Sequence, residues 1–437
     1  MGSLILATVL LVLVWALALG MHLHERRPDW FWYLTGYPRA ALRVVLTWRK
    51  VTHLNDLTVS HKPNRRLLGD LAVRGEPLRT RAPRCSFPRP TPNGLSLLVR
   101  LHAGQTPAPF LAAADAFAHT WRMHAVRITS PERGIVLITA TASDPLEHPE
   151  RPTGSVSAAL LSAVVGALET GRAWVLDFRR VPHWLIVGAT QSGKSTLLAR
   201  LVTELAPQRV ALVGIDCKGG MELGLFEKRL TALATCRKEA VAVLGALVVD
   251  IQDRMWACRL AGARSIWDLP EVERPTPVVV IVDELAELFL TNGSKEQRAE
   301  AEQCSTYLLR LAQLGAALGV HLVVAGQRVG SDLGPGVTAL RAQLGGRICH
   351  RVNDPGTAEM ALGDLNKDAV AVAQSIGEAE QGVAITTGDV GGWVRGRSHL
   401  IAPEEARATA ATYASLTPRV HRVARALETL EEGGAPA

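Results

Sequence analysis

The sequence predicts an α/β protein with a mostly parallel β-sheet, and two observations carry that prediction. Short apolar segments of strand type alternate with longer segments of helical period, an order that favours a parallel sheet covered by helices on both faces. A glycine-rich loop also follows one apolar segment and precedes a helical one, as in sheets that bind phosphate at one edge. The predicted strands are 184–187, 209–215, 278–282, 320–325, 347–352 and 383–387, and the longest predicted helices are 238–262 and 296–318.

The glycine-rich loop at 188–195 reads Gly-Ala-Thr-Gln-Ser-Gly-Lys-Ser. Its G-x-x-x-x-G-K-S spacing is that of the phosphate-binding loop (P-loop), whose backbone N–H groups point at phosphate oxygens. In this pattern Lys194 reaches the β- and γ-phosphates, and the Ser195 hydroxyl is a ligand of Mg²⁺. We therefore expect ATP with Mg²⁺ as the cofactor. The expected binding residues are Gly188, Ala189, Thr190, Gln191, Ser192, Gly193, Lys194, Ser195 and Thr196.

Two carboxylates follow a later strand and suggest what happens to the nucleotide. The segment 278–282 consists of β-branched residues and is followed by Asp283 and Glu284. Such a strand is buried and would deliver both acids to the carboxyl edge of the sheet. We expect Asp283 to hold Mg²⁺ together with Ser195, and Glu284 to orient and deprotonate the attacking water. A small-molecule kinase does not need the second acid, so the pair favours ATP hydrolysis.

Composition gives broader limits. The chain has 437 residues, enough for two or three domains, and a net charge of +7. The charge is uneven, because residues 22–100 contain 15 Arg or Lys and five Asp or Glu. Such a segment suits anionic lipid headgroups or nucleic acid phosphates, although a solvated linker has the same composition. The six cysteines form no Cys-x-x-Cys pair, which predicts reduced thiols and no zinc site.

The amino-terminal segment predicts a single-pass anchor in the cell membrane. Residues 3–20 carry no charge, and as a helix they would span roughly 27 Å, about the thickness of a bilayer core. Basic residues follow at once, which places the rest of the chain, including the ATPase, in the cytoplasm. A cleaved signal peptide is the alternative, but no basic residue precedes the apolar run. The aromatic segment 30–48 predicts a location at the membrane interface.

We expect five regions along the chain. They are a transmembrane anchor at 1–21, a basic juxtamembrane segment and linker at 22–93, a small α+β module at 94–154, the ATPase motor at 155–402 and a short helical or disordered tail at 403–437. Within the module, strands at 95–102, 125–129 and 134–140 accompany a helix at 109–123.

The chain resembles the FtsK/SpoIIIE family of DNA-pumping ATPases across roughly residues 95 to 400. Segment 182–190 matches the family's lead into the P-loop, and 282–288 matches its second acidic motif. Segment 215–220 resembles the family's Asp-Pro-Lys-Gly, with Cys217 in place of proline. Further motifs follow in the family's order at 310–313, 319–322, 326–328 and 360–364. The amino-acid sequences of 216–225 and 347–368 are most similar to those of actinobacterial mobile-element members.

The resemblance implies a RecA-like P-loop NTPase that forms a homo-oligomeric ring, a hexamer, around double-stranded DNA. It implies that Gln327 senses the γ-phosphate and that Arg310 acts on the ATP of a neighbouring subunit, with Arg328, Arg347 and Arg351 as alternatives. The loop 328–343 would line the channel. Conjugative transfer is the expected process, with chromosome segregation, protein secretion and a non-enzymatic membrane scaffold as alternatives. The segment after residue 401 is too short for the family's winged-helix domain.

Overall fold

The computed structural model describes residues 32–61, 79–91, 93–147, 159–363, 367–388 and 392–434. They belong to two compact units, Met1–Pro145 and Leu146–Ala437. The expected membrane anchor lies outside the described residues. Among the helices within those ranges, none has both the length and the apolar character needed to cross a bilayer.

The first unit is an α+β fold built on an antiparallel sheet. A π-helical turn at Trp32–Gly36 leads into α1 (Tyr37–Leu54), and the sheet has the order β3-β5-β7-β6, with β4 also paired to β5. The remaining elements are β1 (Val59–His61), β2 (Arg79–Arg81), β3 (Arg84–Cys85), β4 (Arg89–Thr91), β5 (Gly94–Arg100), α2 (Ala108–Ala112), α3 (Ala114–Trp121), β6 (Ala125–Glu132) and β7 (Ile135–Thr141). The one helix expected at 109–123 is thus two helices, separated at Ala113.

Helix α1 belongs to the core of this unit, which corrects the domain boundary expected at residue 94. Trp48 is buried, stacks on Phe117 with ring centroids 5.9 Å apart, and donates its Nε1–H to the Pro83 carbonyl at 2.9 Å. Trp48 of the aromatic segment 30–48 thus packs in this core, and the membrane-interface location expected for the segment stays a prediction. A boundary at residue 94 would separate elements that share one core. The boundary expected at 154 shifts as well, because Leu146 is fully buried in the core of the second unit.

The second unit is built on a ten-stranded sheet with helices on both faces. Its strand order is β12-β11-β13-β14-β10-β15-β16-β17-β8-β9. The strands are β8 (Ser162–Leu168), β9 (Ala173–Asp177), β10 (His183–Val187), β11 (Ala211–Ile215), β12 (Ala232–Ala234), β13 (Val278–Val282), β14 (Val320–Gly326), β15 (Gly346–His350), β16 (Val383–Thr387) and β17 (Trp393–Ser398). The helices are α4 (Lys194–Leu205), α5 (Arg237–Leu260), α6 (Leu285–Phe289), α7 (Lys295–Leu318), α8 (Val337–Gln343), α9 (Pro355–Leu362), α10 (Lys367–Ser375), α11 (Pro403–Thr412) and α12 (His421–Gly434).

The sheet is parallel in one half only, which the sequence prediction missed. Strands β12 to β15 pair in parallel, whereas the pairs from β15 through β16, β17 and β8 to β9 are antiparallel. The parallel strands are buried on both faces and therefore read as continuous apolar runs. Strands β9 and β17 bury alternate residues only, β8 buries four of its seven residues, and β12 has three residues. These four strands therefore gave no such signal.

Alternate residues of the central strands enter two cores on opposite faces of the sheet. Leu185, Val280 and their neighbours pack with α5 and α7, whereas Ile186 and Ile281 pack with α4. The expected tail at 403–437 is part of this unit. Helix α11 buries Ala406 on the α4 side, and α12 buries Val423 on the α5 side.

Candidate nucleotide site

The P-loop lies between β10 and α4, at the carboxyl edge of the parallel strands. Strand β10 is flanked by β14 and β15, both parallel to it. The loop has two left-handed residues, Gln191 with φ 60° and Gly193 with φ 106°. A Cβ at Gly193 would come within 2.5 Å of the Gly382 backbone. Glycine is therefore required at 193 for both its backbone angle and its close contact.

Some backbone N–H groups of the loop hold it in place, and others remain for an anion. Those of Gly188, Ala189 and Ser192 donate to the carbonyls of Gly326 (3.3 Å), Arg351 (2.8 Å) and Ala189 (3.2 Å). Within the expected phosphate-binding set, these three thus shape the loop. The N–H groups of 194–196 lie in the first turn of α4, where no intrahelical acceptor exists. A helix N-terminus of this kind favours bound phosphate.

The P-loop lysine and the expected catalytic base contact each other. Lys194 Nζ lies 3.0 Å from Glu284 Oε2, and both side chains are buried. The other carboxylate oxygen, Glu284 Oε1, accepts the backbone N–H of Gln327 at 3.1 Å. Strands β13 and β14 are adjacent, so this hydrogen bond links the acid that follows β13 to the residue that follows β14. The Glu284 carboxylate is therefore fixed at both oxygens.

Asp283 has the surroundings of a metal ligand. Its side chain is 2% exposed, and its Oδ1 has no hydrogen-bond partner among the described residues. Burial raises the pKa of this carboxyl, and the nearby Lys194 and Lys218 act in the opposite direction. Ser195 lines the same cavity. A buried, unsatisfied carboxylate oxygen beside a hydroxyl fits Mg²⁺, which prefers oxygen ligands.

Lys218 is a candidate functional residue to which the sequence reasoning gave no role. Its Nζ lies 3.7 Å from Asp283 Oδ2 and 3.6 Å from Glu284 Oε2, and its side chain is 38% exposed. The loop that carries it is organised by Asp216, which is fully buried and accepts the backbone N–H groups of Lys218 and Glu222. The resemblance of 215–220 to Asp-Pro-Lys-Gly was the available signal.

A cavity of about 1000 Å³ joins these groups to a second wall. Gln327 contributes its exposed side chain on the acidic side. Arg397 of β17 shapes the opposite side by donating to the carbonyls of Leu146 (2.8 Å), Glu147 (3.0 Å) and Gln381 (3.0 Å). This second wall was not predicted from the sequence because β17 was not predicted. The lining residues are Glu147, Ala189–Gln191, Gly193–Thr196, Lys218, Glu222, Asp283, Gln327, Gln381, Gly382 and 397–400.

The arginines considered for action on a neighbouring subunit lie in different environments. Arg310 is exposed on α7, is not among the cavity residues, and makes no ion pair within the described part of the chain. Arg347 is 6% exposed and donates to the Arg341 carbonyl at 2.9 Å, so it cannot extend to another subunit. Arg351 donates to Thr190 of its own P-loop at 3.2 Å. Arg328 is exposed.

Comparisons with known proteins identify relatives of this chain. The actinomycete conjugal transfer protein N-terminal domain matches residues 19–142, and the FtsK/SpoIIIE family matches residues 155–268 and 266–331. The transfer protein TraSA of Streptomyces ambofaciens is 39% identical over 394 residues, which cover 88% of this chain and 94% of that protein. A DNA translocase FtsK of Campylobacter jejuni is 30% identical over 48% of this chain and 22% of its own length.

A solved structure supports the fold independently. The pCW3 conjugation coupling protein TcpA, determined with ATPγS, has a TM-score of 0.55 and 21% sequence identity to this chain. The match covers 77% of this chain and 94% of that one. The FtsK/SpoIIIE match includes the P-loop and both acids, and the TraSA relative spans nearly the whole sequence. The chain is therefore a member of the FtsK/SpoIIIE family, and within it of the actinobacterial conjugal transfer proteins.

Proposed function

We propose that this chain is a membrane-anchored ATPase that moves double-stranded DNA through a ring of its own copies during conjugative transfer. The observation that carries the enzymatic part is that Lys194 and Asp283 line one cavity beside the P-loop, with Glu284 in contact with Lys194 at 3.0 Å. Family membership supports the DNA-transfer part. A relative over nearly the whole chain is a transfer protein, and more distant relatives are DNA translocases.

The chemistry begins with an exchange of partners at Lys194. When the phosphates of ATP reach the loop, the Lys194 ammonium and the N–H groups of 194–196 can take the negative charge. Glu284 Oε2 then loses its 3.0 Å contact, while Oε1 stays on the Gln327 N–H. The released oxygen is available to accept a proton from the attacking water. Asp283 and Ser195 would hold Mg²⁺, which supplies charge neutralisation at the β- and γ-phosphates.

In this proposal, Gln327 would link the nucleotide site to the segment that contacts DNA. Its exposed side chain lines the cavity, and its N–H holds the catalytic carboxylate. The chain continues directly into the segment 328–343, which contains a 3₁₀ turn at Ser331–Leu333 and helix α8. Arg328 in this segment is exposed, whereas Arg341 is held by the Val329 carbonyl at 2.9 Å. Arg328 is therefore the better candidate for phosphate contact.

We propose that copies of this chain assemble into a ring in which Arg310 acts on the ATP of an adjacent copy. Its guanidinium lies on the exposed side of α7, apart from its own cavity. An arginine in that position is available to the ATP of an adjacent copy, where it would stabilise charge in the transition state. A hexamer is the ring size that the family resemblance implies.

The membrane anchor is proposed on residues 3–20, which carry no charge. Deletion of residues 1–31 spares α1 and every described element, so we expect that variant to remain in solution without detergent and to keep its ATPase activity. The full chain should require detergent. Recovery of the full chain in the detergent-free fraction would remove the anchor from the proposal and leave the motor untouched.

The decisive experiment for the motor is displacement of a third strand from a DNA triplex. The full chain with ATP should release the strand, whereas the same chain with ATPγS, or with the substitution Glu284→Gln, should not. Duplex DNA should also stimulate ATP turnover. Turnover without displacement or stimulation would favour a protein-secretion ATPase, and a complete absence of turnover would favour a nucleotide-dependent scaffold.

A further inference from the structure

We propose that the outer face of helix α1 lies on the anionic surface of a lipid bilayer. This inference rests on the proposed membrane attachment and deepens it, because it names the part of the folded chain that touches lipid and the class of lipid involved. It is carried by the exposure and charge of α1, not by the segment expected to span the membrane.

Helix α1 is apolar on two sides, and the fold uses only one of them. Val44 and Trp48 are at most 5% exposed and pack in the core of the first unit. Leu42, Val45 and Leu46 lie on the outer side and are 60%, 52% and 72% exposed. Successive residues of a helix are about 100° apart, which makes these three side chains neighbours on the surface. They form an apolar patch that the folding of this unit does not require.

The charged residues of α1 beside the patch are all of one sign. Arg39, Arg49 and Lys50 are exposed and share with the three apolar residues an arc of roughly 140° on the helical repeat. No ion pair to any of these three cations occurs within the described ranges. The sequence of α1, Tyr37–Leu54, contains no Asp or Glu. Leucine and valine flanked by Arg and Lys are typical of helices that lie in a membrane interface.

The combination of charge and apolar surface selects lipid over other occupants. DNA phosphates would satisfy the cations but would leave three large apolar side chains against a charged backbone. A second copy docked through the same face would bring the same cations together. An anionic bilayer provides phosphate at the depth of the basic side chains and acyl chains at the depth of the apolar ones.

The length of chain before α1 is consistent with that contact. Sixteen residues separate Gly20, the last residue of the uncharged run, from Tyr37. A fully extended segment of this length reaches about 55 to 60 Å, so an anchored chain keeps α1 near the bilayer. The outer face of α1 is then within reach of the headgroups.

The test uses photocrosslinking in the full chain, with benzoylphenylalanine in place of Leu46. The protein is reconstituted in vesicles of phosphatidylcholine and phosphatidylglycerol, with one lipid or the other carrying the label. Leu98 is the matched control position. It is 38% exposed on β5, and its buried strand neighbours Leu97 and Val99 face the core that contains α1, so Leu98 points to the opposite side of the sheet.

We expect at least about tenfold more lipid adduct at Leu46 than at Leu98, with phosphatidylglycerol captured above its share of the bilayer. In the triple variant R39Q/R49Q/K50Q the adduct should persist while this preference for phosphatidylglycerol is lost. An unchanged preference would overturn the assignment to anionic lipid.

Two further outcomes would overturn the inference as a whole. Chain-to-chain adducts at Leu46 would identify a second copy as the occupant. Equal lipid adduct at Leu46 and Leu98, in protein that is attached to vesicles, would show that α1 faces solvent and would leave the anchor intact. Failure of the full chain to attach to vesicles at all would remove the proposed anchor together with this inference.

Discussion

Lys194 Nζ lies 3.0 Å from Glu284 Oε2, so the cation expected on the phosphates of ATP is paired with the expected catalytic base. Both groups are buried, and a buried charge that loses its partner is costly unless another replaces it. Phosphate is such a replacement for Lys194. In the proposed mechanism, nucleotide binding at Lys194 would therefore release the base that deprotonates the attacking water.

Lys194→Ala should abolish detectable ATP binding, because it removes the cation that neutralises the β- and γ-phosphates. Titration with a fluorescent ATP analogue measures this directly. The control is Lys228→Ala, an exposed lysine in the 3₁₀ turn Leu223–Arg229 of the same unit, which should bind as the unmodified chain does. Retained ATP affinity in Lys194→Ala would show that the loop holds phosphate by its backbone alone.

Glu284→Gln should bind ATP but hydrolyse it more slowly by about 10²-fold or more, the effect of losing a general base. The amide keeps the shape of the side chain and an oxygen for the Gln327 N–H. Single-turnover hydrolysis separates this step from binding. Glu287→Gln on α6 is the control and should hydrolyse normally. Normal hydrolysis in Glu284→Gln would remove Glu284 from the mechanism.

Lys218→Met should weaken binding of ATPγS by roughly tenfold and leave ADP binding nearly unchanged, as expected for the loss of one charged contact. The Lys218 ammonium lies 3.6 Å from Glu284 Oε2, and Lys218 lines the cavity beside the P-loop. We therefore expect it to contact the γ-phosphate. Competition binding with the two nucleotides gives both affinities, and Lys228→Met is the matched control. An equal loss for ADP and ATPγS would mean that Lys218 only holds the acidic pair.

The parallel half of the motor could be read from the sequence because its strands are buried on both faces. Val278–Val282 was expected with its observed bounds, and β10, β11, β14 and β15 within one or two residues. Continuous β-branched and aliphatic runs occur where a sheet is covered on both sides. Strand β17 could not be read in this way. It contains Arg395, Gly396 and Arg397, and its burial alternates, which is typical of a strand with one covered face.

The residues of the site likewise fall into those that local motifs predicted and those that depend on contacts distant in sequence. Lys194, Ser195, Asp283 and Gln327 are all lining residues of one cavity, as their motifs indicated. The contact between Lys194 and Glu284 could not be predicted, because it depends on the side-chain conformations of two residues 90 positions apart. Arg397 was missed for a similar reason. Its role is to fix the carbonyls of residues far from it in sequence, and no local motif records such contacts.

Arg310→Ala should reduce ATP turnover by about 10³-fold if the residue completes a neighbour's site. Mixing Arg310→Ala with Lys194→Ala chains should restore part of the activity, because each interface between unlike chains has one complete orientation. Turnover as a function of mixing ratio measures this recovery. Arg298→Ala, at the amino end of α7, is the control. Wild-type turnover by Arg310→Ala alone would transfer the role to Arg328, since Arg347 is buried and Arg351 contacts its own loop.

The stability of the motor unit should fall as the pH is lowered below the ordinary pKa of histidine, and His350 should account for part of the fall. Burial lowers the pKa of His350 to about 4, and Lys194 lowers it further, against the raising effect of the hydrogen bond to the Val383 carbonyl. At neutral pH the ring is uncharged in both the folded and the unfolded chain and contributes no pH dependence. Below about pH 6.5 the unfolded chain takes up a proton that the folded chain does not, so stability decreases until the folded pKa is reached.

For His350 this loss amounts to roughly 2 kcal/mol of unfolding free energy between about pH 7.5 and about pH 5. His350→Asn keeps a donor in the position of Nδ1 but cannot titrate, so its stability should fall less over the same range, whatever its starting value. Chemical denaturation of the full chain at the two pH values gives the unfolding free energy at each, and the difference is the slope with pH. His421→Asn, at an exposed histidine of α12 in the same unit, should retain the slope of the unmodified chain. If the unfolding free energy of His350→Asn falls with pH as steeply as that of the unmodified chain, His350 is not held neutral by its surroundings. The buried His183 and His321, whose pKa values burial lowers to about 4 and about 3, would then account for the whole effect.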